Sequence, residues 1–308
     1  MALTLIEAAK LNSGTDIERT IIEIYAGSSD ILMNLPFRTI NGGSLSYTRE
    51  QTLPSVAFRG INESYTASTG VLNKLVESLS IAGGDIIIDN AIIRHHGVEQ
   101  VGVQVAMKTR SLALSTTKSI IKGDSVADPR SFDGLQTRVT GNQLISAGTT
   151  ANGAALSLDK LNEAIDQTFN PTHLIMSKAM KRKFISAINN TNIGGYITQT
   201  RDEFGRPITE YGGLPILIVD LDETGSSILG FNEASSSGTA TSTSIYIVSM
   251  GDMGFSGLQG MPMNVQDLGQ IITTPAQLTR IEWDMSIALF HSRSATRLQH
   301  IGNLAIVA

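Results

Sequence analysis

The most informative pattern of apolar and polar residues lies between Gly43 and Asp89. Apolar side chains alternate there with polar or small ones at three places, namely Leu45 and Tyr47, Val56 and Phe58, and Leu79 and Ile81. A period of two, carried by β-branched and aromatic residues, is typical of half-buried strands. The polar segment 60–75 then predicts the tip of a two-stranded arm. Because a lone ribbon is marginal in water and no later segment is an obvious partner, we expect the arm to contact a neighbouring subunit.

The residues on either side of this arm favour helices. Asp16 can cap a short amphipathic helix, and a helical turn over Ser29–Leu35 should end at Pro36, which disfavours helix in the residue before it. The longest predicted helix spans Gly97–Lys122, where two apolar stripes indicate contacts on two faces. Gly123 then offers a residue type that is common where helices end. The sequence therefore predicts one long helix directly after the arm.

From about residue 135 to residue 270, segments typical of helices and of strands alternate. Helices are predicted after the N-cap residues Ser157 and Ser177, and strands at Thr172–Met176, Leu214–Val219 and Ile245–Met250. This alternation predicts a sheet flanked by helices. The Ser/Thr/Gly-rich segment Ser235–Ser244 predicts a flexible surface loop.

Alternation with a period of two returns near the end of the chain. The apolar positions there are Ile281, Trp283, Met285, Ile287 and Leu289. The one sensible place to bury the apolar face of this terminal ribbon is against the long helix. The chain is thus expected to leave one domain, build a second and return to the first, in an α+β arrangement.

The composition narrows the class of protein. Apolar residues make up 41% of the 308 residues and charged residues only 17%, so the surface is poor in charge. Such a surface suits a protein that buries much of its area against copies of itself. The net charge of −5 indicates no general affinity for nucleic acid. The absence of cysteine excludes disulfides, thiolate catalysis and Cys-ligated zinc. No apolar run approaches the ~20 residues that span a bilayer, and no signal peptide is visible.

Three short patterns could carry chemistry, and we interpret each as structural. Ser115–Lys118 and Ser119–Lys122 match the S-x-x-K of penicillin-binding enzymes, but the accompanying S-D-N and K-T-G elements are absent. The adjacent His95 and His96 point to different sides of a helix and lack a third metal ligand. Asp220–Glu223 could hold magnesium at the end of a strand, yet no Gly-rich phosphate loop accompanies it. We predict no catalytic residue, no cofactor and no metal site.

Four charged residues stand out in the otherwise charge-poor arm: Arg49, Glu50, Arg59 and Glu63. Such charges can fix the register between subunits even where each pair contributes little. Together with Phe58, these residues are the predicted subunit interface.

Four segments, taken in order, carry a resemblance to a known family. They are Tyr47–Glu50 with Pro54, Phe58-Arg59 and Asn62-Glu63; Ile120–Leu135, which includes Gly123-Asp124 and Gly134; Asn170–Ser177; and Tyr211–Ile216, which includes Gly213-Leu214-Pro215. In this order the chain resembles, over nearly its whole length, the major capsid proteins of tailed bacteriophages, which have the Hong-Kong-97-type fold.

The resemblance implies a fold and a function. The fold would comprise an N-terminal arm over residues 1–40, an extended β-hairpin loop over 41–89, a peripheral domain with the long spine helix over 90–134 and 271–308, and an axial α/β domain over 135–270. The function would be structural and not enzymatic. Copies would assemble through pentamers and hexamers into an icosahedral shell around the double-stranded DNA of a phage.

The implied partners are copies of the chain itself, a portal and a decoration protein. Because the sequence begins directly with the arm, a separate scaffolding protein is expected, or assembly without one. DNA would be enclosed without sequence-specific binding, no membrane would be involved, and the virion would assemble in the cytoplasm of the bacterial host. An encapsulin-like nanocompartment shell is the alternative within the fold. A soluble α/β hydrolase that uses Ser115 or Asp220 is the alternative from another class.

Overall fold

The architecture comes from a computed structural model, which describes residues 28–96, 99–187, 197–201 and 207–307. The helix predicted after Asp16 lies outside the described residues. In chain order the helices are α1 (Asp30–Asn34), α2 (Asn90–His96), α3 (Glu99–Lys122), α4 (Leu135–Arg138), α5 (Leu158–Gln167) and α6 (Lys178–Ala187). The strands are β1 (Phe37–Thr39), β2 (Ser44–Thr52), β3 (Val71–Ser78), β4 (Ser80–Asp89), β5 (Leu144–Ser146), β6 (His173–Ser177), β7 (Ile197–Arg201), β8 (Pro207–Tyr211), β9 (Leu214–Val219), β10 (Glu233–Ala234), β11 (Ala240–Val248), β12 (Phe255–Gln259), β13 (Asn264–Gln270), β14 (Ala276–Leu289) and β15 (Ala295–Gly302).

Strand β14 is the centre of a five-stranded sheet. It pairs antiparallel with β4, β12 and β13, and β1 adds to β12 in parallel. Because alternate residues of a strand share a face, Ile281, Trp283 and Met285 lie together in a buried core, which they share with Val105 and Ile120 of α3. The predicted packing of the terminal ribbon on the long helix is therefore confirmed.

A second sheet has eight strands in the order β5-β15-β11-β6-β9-β8-β7, with β10 paired to β11. Its central strands are buried on both faces. Leu174 of β6 packs in one apolar cluster with Leu161 of α5 and Phe184 of α6, whereas the adjacent Ile175 packs in the cluster that contains Ile120 of α3. Burial of both faces explains why these strands are continuous apolar runs without alternation.

The helix starts that were predicted from cap residues are present in the structure. The Ser157 hydroxyl accepts a hydrogen bond from the main-chain N–H of Asp159 at 3.2 Å at the start of α5. The Ser177 hydroxyl does the same for Met180 at 3.2 Å at the start of α6. Helix α1 begins after Ser29, as predicted. Caps depend on the neighbouring residues alone, so they can be read from the sequence.

Gly123 ends the long helix for a reason that the sequence did not reveal. A Cβ atom at this position would lie 2.3 Å from the carbonyl oxygen of Phe132 and 2.4 Å from that of Ser119. The main-chain N–H of Gly134 donates a hydrogen bond to the Gly123 carbonyl at 2.9 Å. The glycine is therefore required by close contact between two backbone segments rather than by an unusual backbone conformation.

The predicted boundaries of the arm need correction. Only β2 and β3 form the two-stranded ribbon, and residues 53–70 form no strand despite the alternation at Val56 and Phe58. Segment 80–89 forms β4, which pairs with β14 from Ser80↔Met285 to Asp89↔Ala276. We expected no later segment to pair with the arm, and this was wrong. The partner strand β14 lies almost 200 residues further along the chain.

Two other expectations from the second half of the chain were also wrong. Residues 240–244 begin β11 instead of lying in a surface loop, and Ser242, Thr243 and Ser244 are fully buried. The strand pairings also cross the predicted domain ranges. Residues 255–270, predicted within the axial domain, pair with β14, while β15, predicted within the peripheral domain, lies in the eight-stranded sheet. The division of the chain into these domains otherwise stays a prediction.

Candidate assembly surface

The extended loop, residues 44–78, exposes large apolar side chains along its outer part. Phe58 and Ile61 are 106% and 94% exposed. Further exposed apolar side chains in this loop are Leu53, Val56, Tyr65, Val71, Leu72 and Val76. Strands β2 and β3 pair only with each other. So many large apolar side chains exposed along one segment are typical of a contact between proteins.

Two of the predicted interface residues, Arg59 and Glu63, shape the tip of the loop within one chain. The Arg59 guanidinium donates to the main-chain oxygen of Glu63 at 3.1 Å and lies 5.2 Å from the ring centre of Tyr65. The Glu63 carboxylate accepts a hydrogen bond from the main-chain N–H of Gly60 at 2.8 Å. Both side chains remain exposed, so their role between subunits stays a prediction, and their local role is new.

An ion pair that sequence reasoning missed fixes the base of the loop. The carboxylate of Glu77, on β3, accepts hydrogen bonds from both terminal nitrogens of Arg138, on α4, at 2.5 and 2.7 Å. The two side chains are only 13% and 15% exposed. Arg138 also donates through Nε to the main-chain oxygen of Asp133 at 2.6 Å. A bidentate, partly buried ion pair of this kind fixes the relative orientation of the two side chains as well as their distance. It therefore orients the loop relative to the helical region.

Tyr47 joins the same base from the opposite strand. Its hydroxyl lies 3.2 Å from the Glu77 carboxylate and 3.2 Å from the main-chain oxygen of Leu289. Its ring packs edge-on against Phe290 with centroids 4.9 Å apart. Burial, and next the charge of Glu77, raise the pKa of the Tyr47 hydroxyl to about 12, against the opposing effects of Arg138 and Arg49. The base of the loop is thus a packed, hydrogen-bonded joint, in contrast to its exposed outer part.

Arg49 and Glu50 lie next to each other on β2, beyond this joint. Because successive side chains of a strand point to opposite faces, the two charges face different ways. Glu50 is exposed, whereas Arg49 is half-buried and lines a cleft beside Arg138. Neither residue forms an ion pair with any part of the chain that the structure describes. Their role between subunits stays a prediction.

The lysines of both S-x-x-K matches bind carboxylates. Lys118 Nζ lies 2.9 Å from Asp222, and Lys122 Nζ lies 3.5 Å from Glu233. Asp222 also accepts a hydroxyl hydrogen bond from Thr224, and this bond, followed by the one from Lys118, lowers the pKa of Asp222. Glu233 also forms a second, buried ion pair, with Arg297 at 3.0 Å. These ion pairs join α3 to β10 and to the turn after β9, a role that the interpretation of these motifs from the sequence did not include.

The described residues contain no cluster of three side chains suited to binding a metal. His95 lies in α2, away from any such group. No helix in the described ranges has the length and apolar character needed to cross a bilayer.

One face of α3 is also uncovered. Val103 and Met107, one helical turn apart, are 51% and 62% exposed. A Cβ atom at the nearby Gly102 would meet no other atom within 4 Å. Among the described residues, the long helix therefore exposes two large apolar side chains near its start.

Comparison with known protein families gives one match. The family model described as SU10 major capsid protein matches residues 88–215. This range begins at the end of β4, includes the whole of α3 and ends in β9. No curated protein sequence matches the chain.

Several solved structures share the fold over nearly the whole chain. The holo-SrpI encapsulin complex from Synechococcus elongatus is 17% identical, with a TM-score of 0.64, over 100% of this chain and 99% of that one. A structure from Microbacterium phage Oxtober96 is 12% identical, with a TM-score of 0.62, over 91% of each chain. The capsid of a native GTA particle is 13% identical, with a TM-score of 0.58, over 89% of this chain and 91% of that one.

At such low identities these structures establish the fold, and the family match adds the kind of protein. The α+β, Hong-Kong-97-type fold that the sequence motifs predicted is confirmed. The match to a major-capsid-protein family, combined with the fold of phage capsids, supports the sequence-based identification of this chain as a structural, major capsid protein of the tailed-phage type.

Proposed function

We propose that copies of this chain assemble through pentamers and hexamers into a closed icosahedral shell that encloses phage double-stranded DNA. The observation that carries the proposal is the outer part of the extended loop, where apolar side chains such as Phe58 and Ile61 are exposed and pack against no other described residue. Exposed apolar area of this extent is costly in water. Contact with a neighbouring subunit would bury it.

The structure of the loop suits this role. Its base is held by Glu77 and Arg138, so the loop leaves the body of the subunit in a defined direction. Its tip is closed by local hydrogen bonds from Arg59. The uncovered apolar face of α3, around Val103 and Met107, is a candidate surface to receive the loop of a neighbour. A closed shell repeats each such contact many times, so modest individual contacts are sufficient.

The proposed shell encloses DNA without reading its sequence. The net charge of −5 offers no general attraction to phosphate. We expect assembly in the cytoplasm of the bacterial host, with a separate scaffolding protein, a portal and a decoration protein as partners, and no enzymatic activity. The support for these partners is the resemblance in sequence and fold alone.

A nanocompartment shell is the second candidate function. It is favoured by the similarity to the SrpI encapsulin complex, which covers 100% of this chain. The two candidates differ in content, because a virion holds nucleic acid. The ratio of absorbance at 260 and 280 nm of purified particles, before and after nuclease treatment, distinguishes them.

Sedimentation and electron microscopy of the purified chain test the proposal directly. We expect megadalton icosahedral particles. A small oligomer under all conditions that support capsid assembly would contradict the proposed function. The variant Phe58→Ser should give a folded subunit that assembles poorly, whereas Thr66→Ser, at an exposed polar position of the same loop, should assemble as the wild type does. Equal assembly of both variants would show that the apolar loop surface has no role in the shell.

A further inference from the structure

An open cleft of about 610 Å³ lies at the foot of the extended loop. Its walls come from β2, from the segment 138–143 and from the turn between β14 and β15. Three arginines line it, namely Arg49, Arg138 and Arg293, and none of the described lining residues is an aspartate or a glutamate. This excess of positive charge is notable in a chain that has more acidic than basic residues, 28 against 23.

Two of the three positive charges have no compensating carboxylate among the residues that the structure describes. Arg138 is neutralised by Glu77. Arg293, in contrast, donates through Nε and one terminal nitrogen to main-chain oxygens, those of Gln167 and Asp166, both at 2.9 Å. These contacts hold the guanidinium in place but leave its charge uncompensated. Arg49 has no ion pair within the described residues, although it is half-buried on the wall of the cleft.

The other lining groups suit a side chain better than a free inorganic ion. Asn142 and Gln143 supply amide groups, while Val139 and Leu289 supply apolar surface. A carboxylate on an aliphatic stem can use all three kinds of surface, because the guanidinium fork matches the two carboxylate oxygens and the stem packs on the apolar wall.

We propose that this cleft binds an aspartate or glutamate side chain from a second copy of the chain, with Arg49 as its principal partner. The inference rests on the proposed function, since it requires neighbouring subunits in a shell, and it names the chemistry of one contact between them. The cleft adjoins the loop that the proposed function places between subunits. A neighbour's carboxylate would supply the negative charge that the cleft lacks and would fix the position of the loop base.

The test converts the proposed ion pair into a covalent bond. Shells of the variant Arg49→Lys are treated with a water-soluble carbodiimide, which joins an amine to a carboxylate in direct contact and adds no spacer. We expect covalent dimers at several times the wild-type background, with peptide mass spectrometry identifying an interchain amide between position 49 and an acidic residue. The matched control is Arg182→Lys, at an exposed position of α6, which should remain at background.

Two outcomes overturn the inference. One is a yield of dimers no greater than in the wild type and the control. The other is linkage of position 49 to Glu77 of the same chain alone. Co-assembly with an excess of wild-type chain keeps the variant in shells if it assembles poorly by itself, and the same outcomes are read from the mixed shells. Because the measurement is made on shells, failure of the wild type to form any shell contradicts the proposed function and is distinguishable from failure of this contact.

A second measurement needs no chemical modification. Shells of Arg49→Gln should dissociate at a lower denaturant concentration than shells of Arg182→Gln. The difference should shrink at about 1 M salt, where exposed charges are screened within a few ångströms. Equal dissociation of the two variants at low salt would also contradict the inference.

Discussion

Glu77 and Arg138, which are separated by 61 residues in the chain, form a two-point ion pair at the base of the extended loop, with nitrogen–oxygen distances of 2.5 and 2.7 Å. The pair is the main charged connection between the loop and the helical region that follows α3. It therefore determines whether the loop has a fixed direction or swings about its base.

Removal of one partner should loosen the loop. Arg138→Gln leaves the Glu77 carboxylate without its cation in a partly buried position, which should cost about 1–3 kcal/mol of unfolding free energy. The solvent-accessible pair of Arg280 and Asp85 offers a control, since water screens it and Arg280→Gln should cost much less. Hydrogen exchange over residues 44–52 and 71–78, with thermal unfolding, measures both effects. Equal protection of the loop in the two variants would show that the pair does not hold the loop.

The raised pKa of Tyr47 predicts a step at alkaline pH. The pKa is about 12 in the folded chain against an ordinary value of 10.0. The neutral hydroxyl is thus favoured by folding, so the stabilisation is fully present below pH 10 and is lost as the pH rises towards 12. The difference in tyrosinate absorbance between the wild type and Tyr47→Phe should show a step near pH 12. A step near pH 10 would mean that this hydroxyl is not buried at the joint.

The close contact at Gly123 and the open space at Gly102 predict opposite effects of substitution by alanine at these two glycines of the α3 region. Gly123→Ala should destabilise the subunit by about 1–3 kcal/mol, because the new methyl group would overlap main-chain oxygens. Gly102→Ala, inside α3 with open space around it, should stabilise the dissociated subunit by about 0.5–1 kcal/mol. Chemical denaturation of dissociated subunits measures both. The same sign for the two changes would contradict the assigned geometry.

Trp283 is the largest side chain of the core, only 2% exposed and packed against the tilted ring of Phe37 with centroids 5.1 Å apart. Trp283→Ala should cost about 3–5 kcal/mol and yield insoluble or unfolded subunits rather than folded ones that fail to assemble. Ile272→Ala, at a fully exposed position, serves as the control. A melting temperature of Trp283→Ala equal to that of the wild type would place the terminal ribbon outside the core.

Arg59→Glu should give a folded subunit that fails to form shells. The change reverses a charge at the tip of the loop and removes the hydrogen bond to the Glu63 main chain, and it touches no part of either core. Circular dichroism establishes folding and sedimentation establishes assembly. Arg182→Glu, on the exposed face of α6, should assemble normally. Normal assembly of Arg59→Glu at ordinary salt would remove this residue from the predicted interface.

The sequence by itself determined the local elements and their order. The caps at Ser157 and Ser177, the extent of β9 and the long helix up to Gly123 depend on neighbouring residues and on the apolar period, and both are visible in a single chain. The ordered motifs also identified the fold. The exposed loop was predicted from its alternation, but the first strand ends at Thr52, before the predicted alternation at Val56 and Phe58, and the second begins at Val71, inside the predicted tip.

Only the tertiary structure decided how distant segments meet. The partner of β4 is β14, and the partner of Glu77 is Arg138, because strand pairing and ion pairing depend on distance in space, for which spacing along the chain carries no signal. The same holds for Ser242–Ser244, whose small polar side chains suggested a loop but whose hydroxyls find buried acceptors in the sheet, such as the main-chain oxygen of Leu229 for Thr243 and the carboxylate of Glu233 for Ser244. A polar residue is stable in a core wherever the fold supplies its hydrogen bonds, and those partners become visible only once the chain has folded.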